Sequence, residues 1–236
     1  MDRMNDTTPS GLTAVHSLLT PDNCVLALVD YQPMLFFIAN NADRQGILNN
    51  AIGLAKTARA FDVPVVLSAI ESAAFSGATA PQLLAALDNP EPIERSTMNA
   101  WENDAFVTAI ERTGRKKIVL GGFWTEACVT FPTISAIEAG YEVYIPFDVC
   151  GDLNSVAQEM SIQRCIQAGA VPVTWTQVLM EWQRDWARTA TYDAVMDILK
   201  QHAGAYGLGA EYASTMVHGA PATRYPVYTP AVAAGS

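Results

Sequence analysis

The chain has 236 residues, 50% of them hydrophobic, and its 14 basic and 24 acidic side chains give a formal net charge of −10. This composition supports one buried core, and the acidic balance argues against nucleic acid and anionic membrane surfaces as partners. No apolar run is long enough to cross a bilayer, and the polar N-terminus, MDRMNDTTPS, does not resemble a signal peptide. The four cysteines lack CxxC spacing. We therefore expect a soluble cytoplasmic protein with reduced thiols and no contact with membranes.

Apolar strands alternate with helical segments along the chain. The run from Cys24 to Asp30 is continuously apolar until its final acid, which is typical of a strand buried on both faces. Further strands are predicted at 63–70, 90–95, 118–122, 141–148 and 170–176, with helices between them and at 178–188 and 192–202. This alternation predicts an α/β fold: a doubly wound, mostly parallel six-stranded sheet with helices on both faces, a Rossmann-like three-layer sandwich.

The composition changes near both ends of the chain. Residues 1–18 read as a polar lead-in, residues 19–203 as the α/β domain, and residues 204–236 as an arm rich in Ala, Gly, Tyr and Pro. The prolines at 221, 226 and 230 oppose regular structure in that arm. Two interpretations stay open for it: a disordered tail, and an arm whose tyrosines pack on a neighbouring subunit.

The stretch IVLGGFWTEACVTF, residues 118–131, combines a buried strand, a tight turn and the start of a helix. Cys128 falls at the predicted N-terminus of that helix, where unpaired N–H groups and the helix dipole favour a thiolate. A cysteine flanked by Ala127 and Val129 is also a common small core residue. The stretch alone therefore leaves both a nucleophile and a packing role open.

In a doubly wound sheet, ligands bind at the carboxyl ends of the strands, where the strand order reverses. Asp30, Arg95 and Cys128 each follow or end a predicted strand and are expected at that edge. Asp148 ends another strand, although the commoner role of such a residue is a loop hydrogen bond or a helix cap. Arg95 has a structural alternative as well, an ion pair with Glu71, Glu94 or Glu102.

Several motifs between about residues 19 and 188 resemble the isochorismatase-like cysteine hydrolases. They are LALVDYQ at 26–32, IER and NAWEND between 93 and 104, GGFWTEACV at 121–129, and SAIEAGYEVYIPFD at 135–148. The third motif is the most specific, since glycine, a Thr-acid pair and Cys-Val at this spacing form the family's nucleophile signature. The NAWEND pattern is similar to a functionally orphan, oligomeric branch of that superfamily.

This resemblance implies a catalytic triad of Asp30, Arg95 and Cys128 and a covalent intermediate on Cys128. It also implies an oxyanion hole made by the backbone N–H groups of Trp124 and Cys128, beside a cis peptide bond between Phe123 and Trp124. The substrate is then a small molecule with an amide, carbamoyl or vinyl-ether-like group. We expect Phe123, Trp124, Trp101 and Ile70 to bind it.

Two departures from the family pattern qualify this interpretation. Arg95 replaces the usual lysine, and a guanidinium stabilises charge but does not shuttle protons. Nicotinamidases in the family hold a metal through an Asp-x-His and a second histidine after strand two, whereas residues 67–79 contain no histidine. We therefore expect a site with no metal and no cofactor.

Oligomerisation follows from the resemblance, and a homo-oligomer of four or more subunits is expected. Two other function classes stay open at this stage. One is a catalytically vestigial, oligomeric binding or scaffold protein, and the other is a thiol redox or peroxide sensor.

Overall fold

A six-stranded sheet in which all neighbouring strands run parallel forms the centre of the protein. The structure is a computed structural model that describes residues 17–221. The strands lie in the order β3-β2-β1-β4-β5-β6, which confirms the predicted doubly wound α/β fold. Their bounds are β1 Cys24–Val29, β2 Val65–Ile70, β3 Ile93–Arg95, β4 Lys117–Gly122, β5 Glu142–Pro146 and β6 Val171–Val173.

Helices connect the strands and surround the sheet. They are α1 Pro33–Ile38, α2 Arg44–Ala60, α3 Pro81–Ala86, α4 Asp104–Arg112, α5 Thr130–Glu138, α6 Ser155–Ala168, α7 Trp175–Gln183, α8 Thr189–His202 and α9 Ala205–Tyr212. The Asp43 side chain caps α2 by accepting from Gly46 N at 2.8 Å, and Asn103 caps α4 by accepting from Phe106 N at 3.0 Å. In the described part of the chain, none of these helices is both long and apolar enough to cross a membrane.

The sheet order places a crevice beside β1. The chain adds β2 and β3 on one side of β1 and then returns to place β4 on its other side. Every residue of β1 and β4 is buried, which explains the continuous apolar run in β1. The carboxyl ends of β1 and β4 therefore flank the point where strand order reverses, the usual ligand site of such folds.

The C-terminal segment contains more regular structure than its composition predicts. Residues 205–212 form α9, and a π-helical turn follows at Ala213–Val217. Helix α9 packs closely on α8, because a Cβ at Gly207 would lie 2.5 Å from Leu199 O, and Lys200 pairs with Glu211 at 2.8 Å. The expected irregular arm is thus helical over its first part, since its prolines begin only at 221. Residues 1–16 and 222–236, which include most of the predicted lead-in, lie outside the described residues.

Gly122 sets the contact between β1 and β4 at the crevice. It pairs with Val29, and a Cβ at this position would lie 2.1 Å from Val29 O, a backbone atom that cannot rotate away. We predict that Gly122→Ala lowers the free energy of unfolding by about 1–3 kcal/mol or more, as overpacked cores do. Urea denaturation measures this change. Gly209→Ala is the control, because its Cβ meets nothing within 4 Å in α9; equal midpoints for both variants would contradict the prediction.

Candidate active site

Asp30 follows β1 directly and is completely buried. Its N–H donates to Ser68 O at 3.0 Å, so the residue stays attached to β2 after β1 ends. Its φ of 62° lies in the left-handed region, which costs a residue with a side chain roughly 1–3 kcal/mol. The surrounding structure thus holds a buried carboxylate in an unfavourable backbone conformation, a feature that clusters at functional sites.

Arg95 is the last residue of β3 and points its guanidinium at Asp30. Arg95 Nη2 and Asp30 Oδ2 form an ion pair in which neither side chain is exposed. Nη1 donates to Thr97 O, and Nε lies 3.4 Å from Ser68 Oγ. The planar fork of arginine makes these contacts in several directions at once, which a lysine ammonium does not reproduce.

Two of the three acids proposed as structural partners of Arg95 have other contacts. Glu94 accepts hydrogen bonds from the N–H and the hydroxyl of Ser72, both at 2.7 Å. Glu102 accepts from the Asn99 amide at 3.2 Å. The structural alternative of a pair with Glu71, Glu94 or Glu102 is therefore wrong, because the guanidinium is turned inward to the buried Asp30.

Cys128 reaches the same carboxylate from the other side of β1. It lies in a π-helical turn, Thr125–Val129, between β4 and α5, and its side chain is 5% exposed. The thiol lies beside the Asp30 carboxyl group and interacts with it, and the backbone N–H of Trp124 faces the sulfur. The peptide bond between Phe123 and Trp124 is cis, at the position that the family resemblance implies.

Burial controls the charge states of this group. It raises the pKa of Asp30 from 3.8 to about 6, opposed by the charge of Arg95. Burial and then the Asp30 carboxylate raise the pKa of the Cys128 thiol to about 12. Near pH 7 the resting state is therefore a neutral thiol beside an ionised carboxylate.

This charge state corrects the expectation of a resting thiolate at a helix N-terminus. Helix α5 begins at Thr130, two residues after Cys128. A helix terminus favours a charge by only about 0.3–1 kcal/mol, whereas burying a charge costs several kcal/mol. The cost of desolvation therefore exceeds the effect of the helix terminus, and a reaction of this thiol requires a base. Asp30 Oδ1 is suited to that role, because it is buried and takes no nitrogen or oxygen donor from residues 17–221.

The loop after β5 holds the turn that carries Cys128. Thr125 N donates to Gly151 O at 3.0 Å, and Glu126 N donates to Asp152 Oδ2 at 3.0 Å. Sequence reasoning missed Asp152, although an acid after a glycine in the loop beyond a strand is a signal for such a role. Asp148, which sequence reasoning did consider, accepts from Trp175 N at 2.9 Å and so has the expected helix-capping role.

Gln32 is a second residue that sequence reasoning missed. It is fully buried, and its amide nitrogen donates to Ile70 O at 3.0 Å and Gly77 O at 2.6 Å, while its oxygen accepts from Ile70 N at 2.9 Å. It thereby ties the loop after β1 to the loop after β2. The signal was the polar ending of LALVDYQ, which is too short to interpret alone.

The four residues predicted to bind substrate lie in different parts of the structure. Ile70 and Trp124 are partly buried, and each lies at or just beyond the carboxyl end of its strand, at the same edge as Cys128. Phe123 is 0% exposed, with its ring centroid 4.5 Å from that of Phe36, so it packs in the core beside the turn that carries Cys128, and its contact with substrate stays a prediction.

The structure corrects the predicted place of Trp101 in the substrate pocket. Its ring packs at 5.2 Å from that of Tyr141, which precedes β5 at the opposite edge of the sheet. The ring therefore lies toward the far end of α5 from Cys128. Among the described residues, no group of three or more His, Cys, Asp or Glu side chains is placed to hold a metal ion.

Comparison with known proteins shows the family of this chain. A family model described as the isochorismatase domain matches residues 24–177. YcaC of Escherichia coli strain K12, named a probable hydrolase, is 33% identical over 176 residues, which cover 74% of this chain and 85% of the relative.

Two solved structures have the same fold. The E. coli YcaC structure, described as an octameric hydrolase of unknown specificity, has a TM-score of 0.81 and 30% identity and covers 86% of this chain and all of the other. YcaC from Pseudomonas aeruginosa, described with hexane-2,5-diol and covalent acrylamide, has a TM-score of 0.79 and 30% identity over 83% of this chain and 96% of the other. The matched family model and the similarity to YcaC show that this chain belongs to the isochorismatase family of hydrolases.

Proposed function

We propose that this protein is a cysteine hydrolase that cleaves a C–N bond in a small amide or carbamoyl compound, with no step that needs a metal. The observation that carries the proposal is the buried chain of contacts from Arg95 through Asp30 to Cys128. Covalent hydrolysis requires a nucleophile with a base beside it, and here a cation keeps that base ionised.

In the first half of the reaction, Asp30 Oδ1 takes the thiol proton as the Cys128 sulfur attacks the carbonyl carbon. The carbonyl oxygen becomes an oxyanion, which the N–H groups of Trp124 and Cys128 stabilise. Asp30 then gives the proton to the leaving nitrogen, the C–N bond breaks, and an acyl thioester remains on Cys128.

In the second half, a water molecule replaces the amine. Asp30 accepts a proton from this water as its oxygen attacks the thioester carbon. The C–S bond breaks, the proton returns to the sulfur, and the carboxylic acid leaves. Arg95 carries no proton in either half, because its guanidinium stays charged. Its role is to lower the pKa of Asp30 against the effect of burial.

We also propose that the protein is a homo-oligomer. The similarity to the octameric E. coli relative supports this. So does the surface of the C-terminal helical segment, where Leu208, Tyr212 and Met216 recur every four residues and are 62–75% exposed. Such an apolar stripe is typical of a protein contact.

The first prediction concerns the nucleophile. A panel of small amides and carbamates should include substrates of the wild type, and Cys128→Ala should lower their kcat/KM by about 10³-fold or more. Cys24→Ala is the matched control, because Cys24 is buried at the opposite edge of the sheet and should be dispensable. A wild type that hydrolyses nothing in the panel, with Cys128→Ala indistinguishable from it, would favour the vestigial scaffold alternative.

The second prediction concerns pH. Acrylamide labelling of Cys128, followed by intact mass and peptide mapping, should rise with an apparent pKa near 6 and then level, because Asp30 accepts the thiol proton only when ionised. A thiol without a base would instead react faster up to its own pKa of about 12.

The matched variant for this profile is Arg95→Met. Loss of the positive charge should move the midpoint above 6, since that charge lowers the pKa of Asp30. Breaking a buried pair also costs about 3–5 kcal/mol, so circular dichroism must show that the variant is folded. An unmoved midpoint in a folded variant would argue against Asp30 as the base.

The third prediction concerns assembly. Multi-angle light scattering should give at least four times the mass of one chain. Leu208→Glu with Met216→Glu should lower that mass, because buried carboxylates are costly in an apolar contact. A wild type with the mass of a single chain would contradict the proposed oligomer.

A further inference from the structure

Buried polar side-chain atoms without partners cluster at the edge of the sheet that carries the proposed catalytic group. In residues 17–221, seven buried side-chain polar atoms have no hydrogen-bond partner. Four of them follow β1, β2 and β3 at their carboxyl ends: Asp30 Oδ1, Ser76 Oγ, Thr79 Oγ1 and Thr97 Oγ1. Buried polar groups are nearly always paired, so a cluster of exceptions at one edge suits the binding of a polar ligand.

Two hydrogen bonds hold the segment of Ser76 and Thr79 beside the loop that leaves Asp30. These residues are only 1% and 3% exposed. Between them, Gly77 O accepts from Gln32 Nε2 at 2.6 Å. Just after them, Ala80 N donates to Tyr31 O at 2.8 Å. The segment that carries both hydroxyls thus lies on residues 31 and 32, immediately after the proposed base.

Thr97 approaches from the third strand. Its carbonyl oxygen accepts from Arg95 Nη1, and Arg95 pairs with Asp30. Thr97 therefore follows Arg95 by two residues, and the Arg95 guanidinium pairs with Asp30, the proposed base. The unpartnered hydroxyls thus come from two different loops: one lies on residues 31 and 32, directly after the proposed base, and the other contacts Arg95.

The charges around these hydroxyls exclude an anionic ligand. Arg95 is the only Lys or Arg between residues 71 and 99, and its charge is committed to Asp30. Glu71, directly after β2, and Glu94, in β3, are exposed nearby and add negative charge. A carboxylate would find no free cation here. Hydroxyls donate and accept hydrogen bonds, which matches a neutral carboxamide with its N–H donors and carbonyl acceptor.

We infer that Ser76, Thr79 and Thr97 bind the neutral carboxamide or carbamoyl group of the substrate. The inference rests on the proposed function and narrows it: the substrate is an uncharged amide, and carboxylate-bearing vinyl ethers are excluded. Ser76 and Thr79 are the principal contacts because they are the most deeply buried.

Protection of Cys128 by an unreactive amide tests this inference. Propionamide is the saturated analogue of acrylamide and should slow acrylamide labelling of the wild type. Propionate, which is charged, and butanone, which lacks N–H donors, should protect much less. In Ser76→Ala and Thr79→Val the propionamide concentration for half-protection should rise about two- to tenfold each, the effect of one lost hydrogen bond.

Stability provides a second readout that a structural role would not give. Because the Thr79 hydroxyl has no partner, Thr79→Val should leave the urea midpoint unchanged or raise it. Thr57→Val is the matched control: its hydroxyl donates to Gly53 O at 2.7 Å on α2, so it should lower the midpoint and leave protection intact. Thr79→Ser keeps the hydroxyl and should keep wild-type protection.

The possible failures are distinguishable. If acrylamide does not label Cys128 in the wild type, the proposed function is overturned, and this inference, which rests on it, is overturned as well. If Cys128 is labelled but propionamide does not protect it at its highest soluble concentration, the inference alone is overturned. Equal protection in the wild type, Ser76→Ala and Thr79→Val would also overturn it, and would assign the hydroxyls to bound water.

Discussion

The buried ion pair between Asp30 and Arg95 is the constraint on which the site depends. It joins β1 to β3 across β2, although the two residues are 65 positions apart in the chain. Removing one partner of such a pair leaves an uncompensated buried charge, which costs about 3–5 kcal/mol. The fold can bury the Asp30 carboxylate because the positive charge of Arg95 compensates it. The same burial raises the pKa of Asp30 toward the range in which a carboxylate is a useful base.

Strand pattern and strand-end chemistry were enough to predict the sheet and the residues at its edge. Asp30, Arg95 and Cys128 could be placed because each lies at or just beyond the carboxyl end of a strand, and parallel strands present those ends together. The family resemblance added the roles. Exact strand bounds were less accessible: β6, for example, covers only Val171–Val173 of a longer predicted run.

Properties that depend on burial could not be read from local sequence. The thiol of Cys128 was expected to ionise because of its place near a helix terminus, but desolvation by distant segments reverses that preference. Aromatic side chains suit both pockets and cores, so local sequence does not show that Phe123 and Trp101 pack against other rings. Gln32 acts through a loop about 40 residues away, and no local pattern reveals such a contact.

The strand order also divides the site into two parts that can change separately. Asp30, Arg95 and the loop of Ser76 and Thr79 all precede residue 100, whereas Cys128 and its supporting turn follow residue 117. The two parts meet where β1 pairs with β4, at the close contact of Val29 with Gly122. Substitutions in the loop of Ser76 and Thr79 can therefore change one side of the crevice without displacing the sulfur. Under the proposed function, this partition would let the bound compound change while the reaction chemistry stays in place.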